Sequence, residues 1–101
     1  MGKLKAVTPG EILEEEFLKG FGITAYRLSK ETGISATRIS EIVRGKRKIS
    51  VETALKFSKY FGNSAEFWLG IQNEYDLRME KKELEKELKA ISKIQNHVLA
   101  K

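Results

Sequence analysis

The sequence predicts an all-α chain. Three observations carry that expectation: apolar residues recur three and four apart, Ser or Thr stands just before each such run, and glycines fall where the runs stop.

The first helix signal is Thr8 to Glu11, where Thr8 caps, Pro9 takes the first helical position and Glu11 completes a Thr-x-x-Glu capping box. Ile12, Leu13, Phe17 and Phe21 then mark an apolar face, and Gly20 and Gly22 end the element. Thr24 is the expected cap of a short second helix, Ala25 to about Thr32, with Leu28 turned inward. Gly33 supplies a sharp turn, and Ile34 follows as a buried pin. Ser35 caps a third helix running to about Arg44, with Ile39, Ile42 and Val43 as its apolar stripe and Gly45 as its stop. Ser50 caps a fourth, with Ile49 stapled onto Ala54 and an inner face of Val51, Ala54, Leu55, Ser58 and Phe61. Gly62-Asn63 breaks it. Ser64 or Asn63 caps a fifth, where Phe67, Trp68, Ile71 and Tyr75 read as core.

From Asp76 the composition changes to a Lys- and Glu-laced stretch without Gly or Pro. Leu77, Leu84, Ile91 and Val98 stand seven apart with Leu88 alongside, an apolar strip expected to dock on the domain or on another chain. Lys81 and Gln95 at the companion positions argue against a regular coiled coil. The expected organisation is therefore a domain over residues 1–79 and a helical extension over 80–101.

Composition narrows the function. A chain of 101 residues is one domain's worth of protein. The absence of cysteine removes disulfides, thiolate-bound zinc and cysteine nucleophiles. No stretch approaches the roughly 20 apolar residues of a membrane span, and the N-terminus meets Pro9, Gly10 and Glu11 before any apolar run develops. The expected location is the cytoplasm. His97 is the only histidine, it lies in the tail, and no acidic cluster has metal-ligand spacing, so neither an enzyme nor a metal or cofactor is expected.

The net charge of +5 matters less than its placement. Residues 24–48 carry Arg27, Lys30, Arg38, Arg44, Lys46, Arg47 and Lys48 against Glu31 and Glu41, whereas residues 8–23 carry four glutamates and only Lys19. Two short helices joined by a glycine turn, the second serine-capped and flanked by this positive charge, form a helix-turn-helix signature. An α-helix fits the major groove, where each base pair shows a distinct donor and acceptor pattern. Ser29 is small enough for the two helices to cross closely. Candidate base contacts are Ala36, Thr37, Arg38 and Glu41: Arg38 toward guanine, Thr37 by a methyl contact or a hydroxyl hydrogen bond, Ala36 toward a thymine methyl, Glu41 toward a cytosine amino group or merely orienting Arg38. Candidate phosphate contacts are Ser40, Arg44, Lys46, Arg47 and Lys48, with Thr24 at the amide-rich start of the second helix.

The stretch ITAYRLSKETGISATRISEIVRGKRKIS, residues 23–50, resembles the helix-turn-helix class of Cro and the lambda-type repressors. Leu28, Gly33, Ile34, Ser35, Ile39, Ser40, Ile42 and Gly45 stand where that class has core, turn and cap residues; Ala25 departs from it, standing where many members carry a glutamine. The resemblance implies a five-helix, lambda-repressor-like DNA-binding domain with an additional C-terminal helix. A narrower likeness covers about residues 8–78: PGEILEEEFLKGFGITAYRLS, RISEIVRGKRKIS, TALKFSKYFG and AEFWLGIQNEYDL look like HigA-type antitoxins. That likeness implies a homodimer that binds an inverted-repeat operator in its own promoter. It also implies a partner toxin, an RNase of the RelE-like (HigB-like) fold, held inactive. The alternatives are a free-standing regulator of the same fold and a helical adaptor that makes protein contacts only.

Overall fold

Six helices follow one another along residues 7–95, the part of the chain that the computed structural model describes. The first, α1 (residues 9–21), starts as ordinary α-helix over Pro9–Ile12, widens into a π-helical turn over Leu13–Leu18 and closes with Lys19–Phe21. Then come α2 (Ala25–Thr32), α3 (Ala36–Val43), α4 (Val51–Phe61), α5 (Ala65–Glu83) and α6 (Glu85–Ala90). Five of them begin on a hydroxyl. Thr8, Thr24, Ser35, Ser50 and Ser64 each accept the amide three residues on, at 3.0 to 3.2 Å, satisfying a first-turn donor that has no partner within its helix. Glu11 returns the bond to the Thr8 amide at 3.2 Å, so the capping box is complete.

Leu13, Leu28, Ile39, Ile42, Phe57 and Trp68 are fully buried at the centre. The Trp68 indole N–H donates to Asn63 Oδ1 at 2.9 Å, which removes the polar cost of burying the ring. Three helices differ from the sequence expectation: in α5 Trp68 is buried as read, but Phe67 is exposed, Ile71 and Tyr75 are only half-buried, and Gln72 is buried. In α1 the inward residues are Leu13 and Leu18, five apart, because the π-turn holds one residue more than an α-turn. Ile12 and Phe17 are only half-buried, Phe21 is exposed at the rim, and the helix stops at Gly22, with Gly20 inside its last turn. In α4 the buried residues are Thr53, Ala54 and Phe57, while Val51 and Leu55 are exposed, a roll of about 90° from the expected face. Seating Phe57 edge-on against Trp68, ring centroids 5.0 Å apart, sets that roll.

The α2–α3 turn is fixed from both sides. Gly33 takes φ 80°, the Ser29 hydroxyl donates to the Ile34 carbonyl at 2.6 Å, and the Thr32 hydroxyl donates to the Leu28 carbonyl at 2.6 Å. Behind α3, the start of α1 comes so close that a Cβ on Gly10 would lie 2.0 Å from the Ile42 carbonyl oxygen.

Helix α5 continues through position 80, where composition placed the start of the extension. Beyond Asp76 every described side chain is exposed except Leu84, which is half-buried. The strip Leu77, Leu84, Leu88 and Ile91 is therefore not covered by the described part of its own domain; Val98, expected to continue it, lies outside the described residues, as does His97. No helix among the described residues is long and apolar enough to cross a membrane.

Candidate nucleic-acid interface

Helix α3 is held from behind by Ile39 and Ile42, both buried, so its opposite face is presented outward. Successive side chains turn by about 100°, which places Thr37, Ser40 and Arg44 at the centre of that face, with Ala36 and Glu41 on either side. The burial agrees: Ala36, Thr37, Ser40 and Arg44 are exposed and Glu41 is half-buried. Arg38 falls at the edge. It is half-buried, and its guanidinium lies 4.0 Å from Glu52 at the start of α4. A hydrogen bond from Lys56 above all, with that ammonium's charge and then Arg38's, holds the Glu52 carboxyl below the usual carboxylate range. Glu52 thus stays ionised at neutral pH and steers Arg38 along the helix edge.

Glu41 does not orient Arg38. Its carboxylate accepts from Arg47 Nε at 2.7 Å, which draws the basic loop back over the end of α3. That loop leaves α3 through a Schellman turn, with Lys46 N–H to the Glu41 carbonyl at 2.7 Å, Gly45 N–H to the Ile42 carbonyl at 3.0 Å and Gly45 at φ 76°. Its far end is tied to α5. The Ile49 amide donates to Gln72 Oε1 at 2.9 Å, Gln72 Nε2 donates to Asp76 at 3.0 Å, and Lys48 pairs with the same carboxylate at 3.2 Å. Lys46, Arg47 and Lys48 are consequently exposed side chains on a pinned backbone.

Thr24, expected near a phosphate, spends its hydroxyl on the Arg27 amide and so opens α2. Arg27 in turn reaches Glu31 at 3.3 Å, and the Tyr60 hydroxyl donates to the same carboxylate from α4. The Tyr60 bond first and Arg27 after it keep Glu31 below its ordinary range, while the same bond raises the Tyr60 phenol. Sequence reasoning missed four residues of this arrangement: Glu52, Gln72, Asp76 and Gly10. Only Gly10 carried a signal, as part of the Pro-Gly-Glu run. Among the described residues no group of three or more His, Asp or Glu side chains is placed to hold a metal.

A seated helix, a locked turn and a second helix presented outward are the parts of a helix-turn-helix domain. The family model described as helix-turn-helix matches residues 15–68. Virulence-associated protein I of Dichelobacter nodosus is 48% identical over 77 residues, covering 76% of this chain and 71% of that protein. Antitoxin HigA-1 of Vibrio cholerae is 36% identical over 75 residues, covering 74% and 70%. The solved structure of the Pseudomonas aeruginosa antitoxin HigA with the higBA promoter superposes with a TM-score of 0.85 at 35% identity, covering 90% of this chain and all of that one. The chain belongs to the HigA-type antitoxins of the helix-turn-helix family.

Proposed function

We propose that this chain represses its own operon by binding an inverted-repeat operator as a homodimer, and that it neutralises a RelE-like, mRNA-cleaving toxin. The observation that carries the DNA half is the outward face of α3, with Thr37 and Ser40 exposed at its centre and Arg44 and Lys46 to Lys48 exposed at its end. Thr37 reads a base edge directly; Arg38, from its position beside Glu52, reaches one base pair at the margin of the footprint, and Glu41 accepts from a cytosine amino group once Arg47 turns to a phosphate. Two such helices related by a dyad would enter successive major grooves about 34–36 Å apart. The relatives support the rest: one is a HigA antitoxin and another was solved with a promoter. The strip Leu77, Leu88 and Ile91, with half-buried Leu84 among them, is the surface available for self-association.

The test is binding of purified protein to its promoter DNA and to operator variants. Arg38→Ala is expected to weaken operator binding by about 1–3 kcal/mol and to relax preference at one position per half-site. An unchanged preference matrix would remove Arg38 from the base contacts. Co-expression with the product of the neighbouring reading frame tests the toxin half: restored growth supports it, and continued arrest leaves a free-standing regulator.

A further inference from the structure

At the end of the fold away from Arg38, aromatic rings continue from the core out to the surface. Phe17 packs 4.6 Å from Trp68 and 5.0 Å from Phe61. Phe61 in turn carries Phe21, stacked at 5.5 Å with planes 28° apart, and Phe21 is 58% exposed. Phe67 stands edge-on to Trp68 at 5.1 Å and is 38% exposed. Single exposed phenylalanines need no explanation, but a connected aromatic surface continuous with a rigid core has the composition of an interface centre. We propose that Phe21 and Phe67, joined through the half-buried Phe17 ring at 6.4 and 5.8 Å, form the docking site for a basic protein, bound at the same time as DNA. The proposal rests on the antitoxin reading, in which that protein is the toxin.

Charge selects the occupant. The helix that carries Phe17 and Phe21 also carries Glu14, Glu15 and Glu16, and Glu66 precedes Phe67. Lys19 pairs with Glu15 at 3.0 Å and cancels that one charge, which leaves Glu14, Glu16 and Glu66 to set the sign of the rim. A second copy of this chain would bring the same carboxylates face to face, whereas a cationic partner neutralises them. Distance selects simultaneity. Helix α4 meets Arg38 through Glu52 in its first turn and carries Phe61 nine residues later, about 13 Å along its axis. DNA and the partner thus use opposite ends of one helix.

The experiment measures the affinity of the full chain for the purified product of the neighbouring reading frame, at low and high salt, with operator binding and sedimentation run in parallel. The double variant Phe21→Ala/Phe67→Ala is expected to lose about tenfold or more in partner affinity, as truncation of aromatic anchors does. Its operator affinity should be unchanged, which also certifies the fold. Glu14→Gln/Glu16→Gln is expected to weaken partner binding and flatten its salt dependence. Full partner affinity in both double variants would overturn the patch and leave the antitoxin reading standing. No binding by the unmodified chain would defeat the antitoxin reading and the patch with it. A drop from dimer to monomer mass in the phenylalanine variant would identify the patch as a self-contact instead.

Discussion

Replacing Gly10 by alanine should damage this fold, although alanine is the better helix former by about 1 kcal/mol. The added Cβ would stand 2.0 Å from the Ile42 carbonyl oxygen, 2.7 Å from that of Val43 and 2.9 Å from the Val43 carbonyl carbon, where ordinary contact begins at 3.4 Å. All three neighbours are backbone, so no side chain can rotate away. The start of α1 must therefore retreat from the end of α3 by an amount comparable with the shortfall, about 1.4 Å. Overpacking of this kind costs about 1–3 kcal/mol, and rigid neighbours favour the upper end. Set against the helix-propensity gain, the net loss is about 2 kcal/mol, or about 8–16 °C in Tm for a domain of this size. The assay is thermal unfolding followed by circular dichroism, with Gly20→Ala as the internal control. A Cβ at Gly20 meets nothing within 4 Å, so that variant should be neutral or slightly stabilised. If Gly10→Ala unfolds at or above the parent temperature, the close approach of α1 to α3 is not as described.

Three further outcomes are expected. Gln72→Leu leaves the buried Ile49 amide without its acceptor and should cost about 1–3 kcal/mol, with faster hydrogen exchange at residues 46–49; unchanged exchange would show that the loop is held by other means. Lys48→Ala should weaken operator and random DNA alike and lower the salt slope by about 0.9, the share of one phosphate contact; an unchanged slope removes Lys48 from the contacts. Tyr60→Phe tests the bond to Glu31 through its pH dependence. The depressed Glu31 pKa gives stability that is present above 4.5 and lost as pH falls through the folded value, and the raised Tyr60 pKa gives stability present below 10.0 and lost as pH rises past it. The parent's advantage over the variant should thus be confined between those limits, and a difference that persists in acid would exclude the pair as its source.

What could be read from the sequence follows the range of the interactions. Four of the five hydroxyl caps were legible outright and the fifth was narrowed to Asn63 or Ser64, because a cap is settled within four residues. The turn at Gly33 and the burial of Leu28, Ile34, Ile39 and Ile42 were legible for the same reason: a short, strongly patterned stretch leaves little choice. The face of α4 was not. Val51 and Leu55 are as apolar as Phe57, and only the position of Trp68, eleven residues on, decides which side turns inward. The outward set on α3 was legible as a list but not as a geometry. That Arg38 answers to Glu52 and that Glu41 answers to Arg47 depends on how α4 and the basic loop return, and nothing local encodes it. The Gln72 link to Ile49 spans 23 positions and has no sequence signature.

The wide turn in α1 means that this helix stores one residue more than its two ends need. A chain one residue shorter between Leu13 and Leu18 would wind with ordinary pitch, bring those leucines to a spacing of four, and still deliver Gly10 to one neighbour and Phe21 to another. The glutamate run is thus the place where homologous chains can differ in length without moving anything else, and a gap there in an otherwise matched pair would not signal a different architecture.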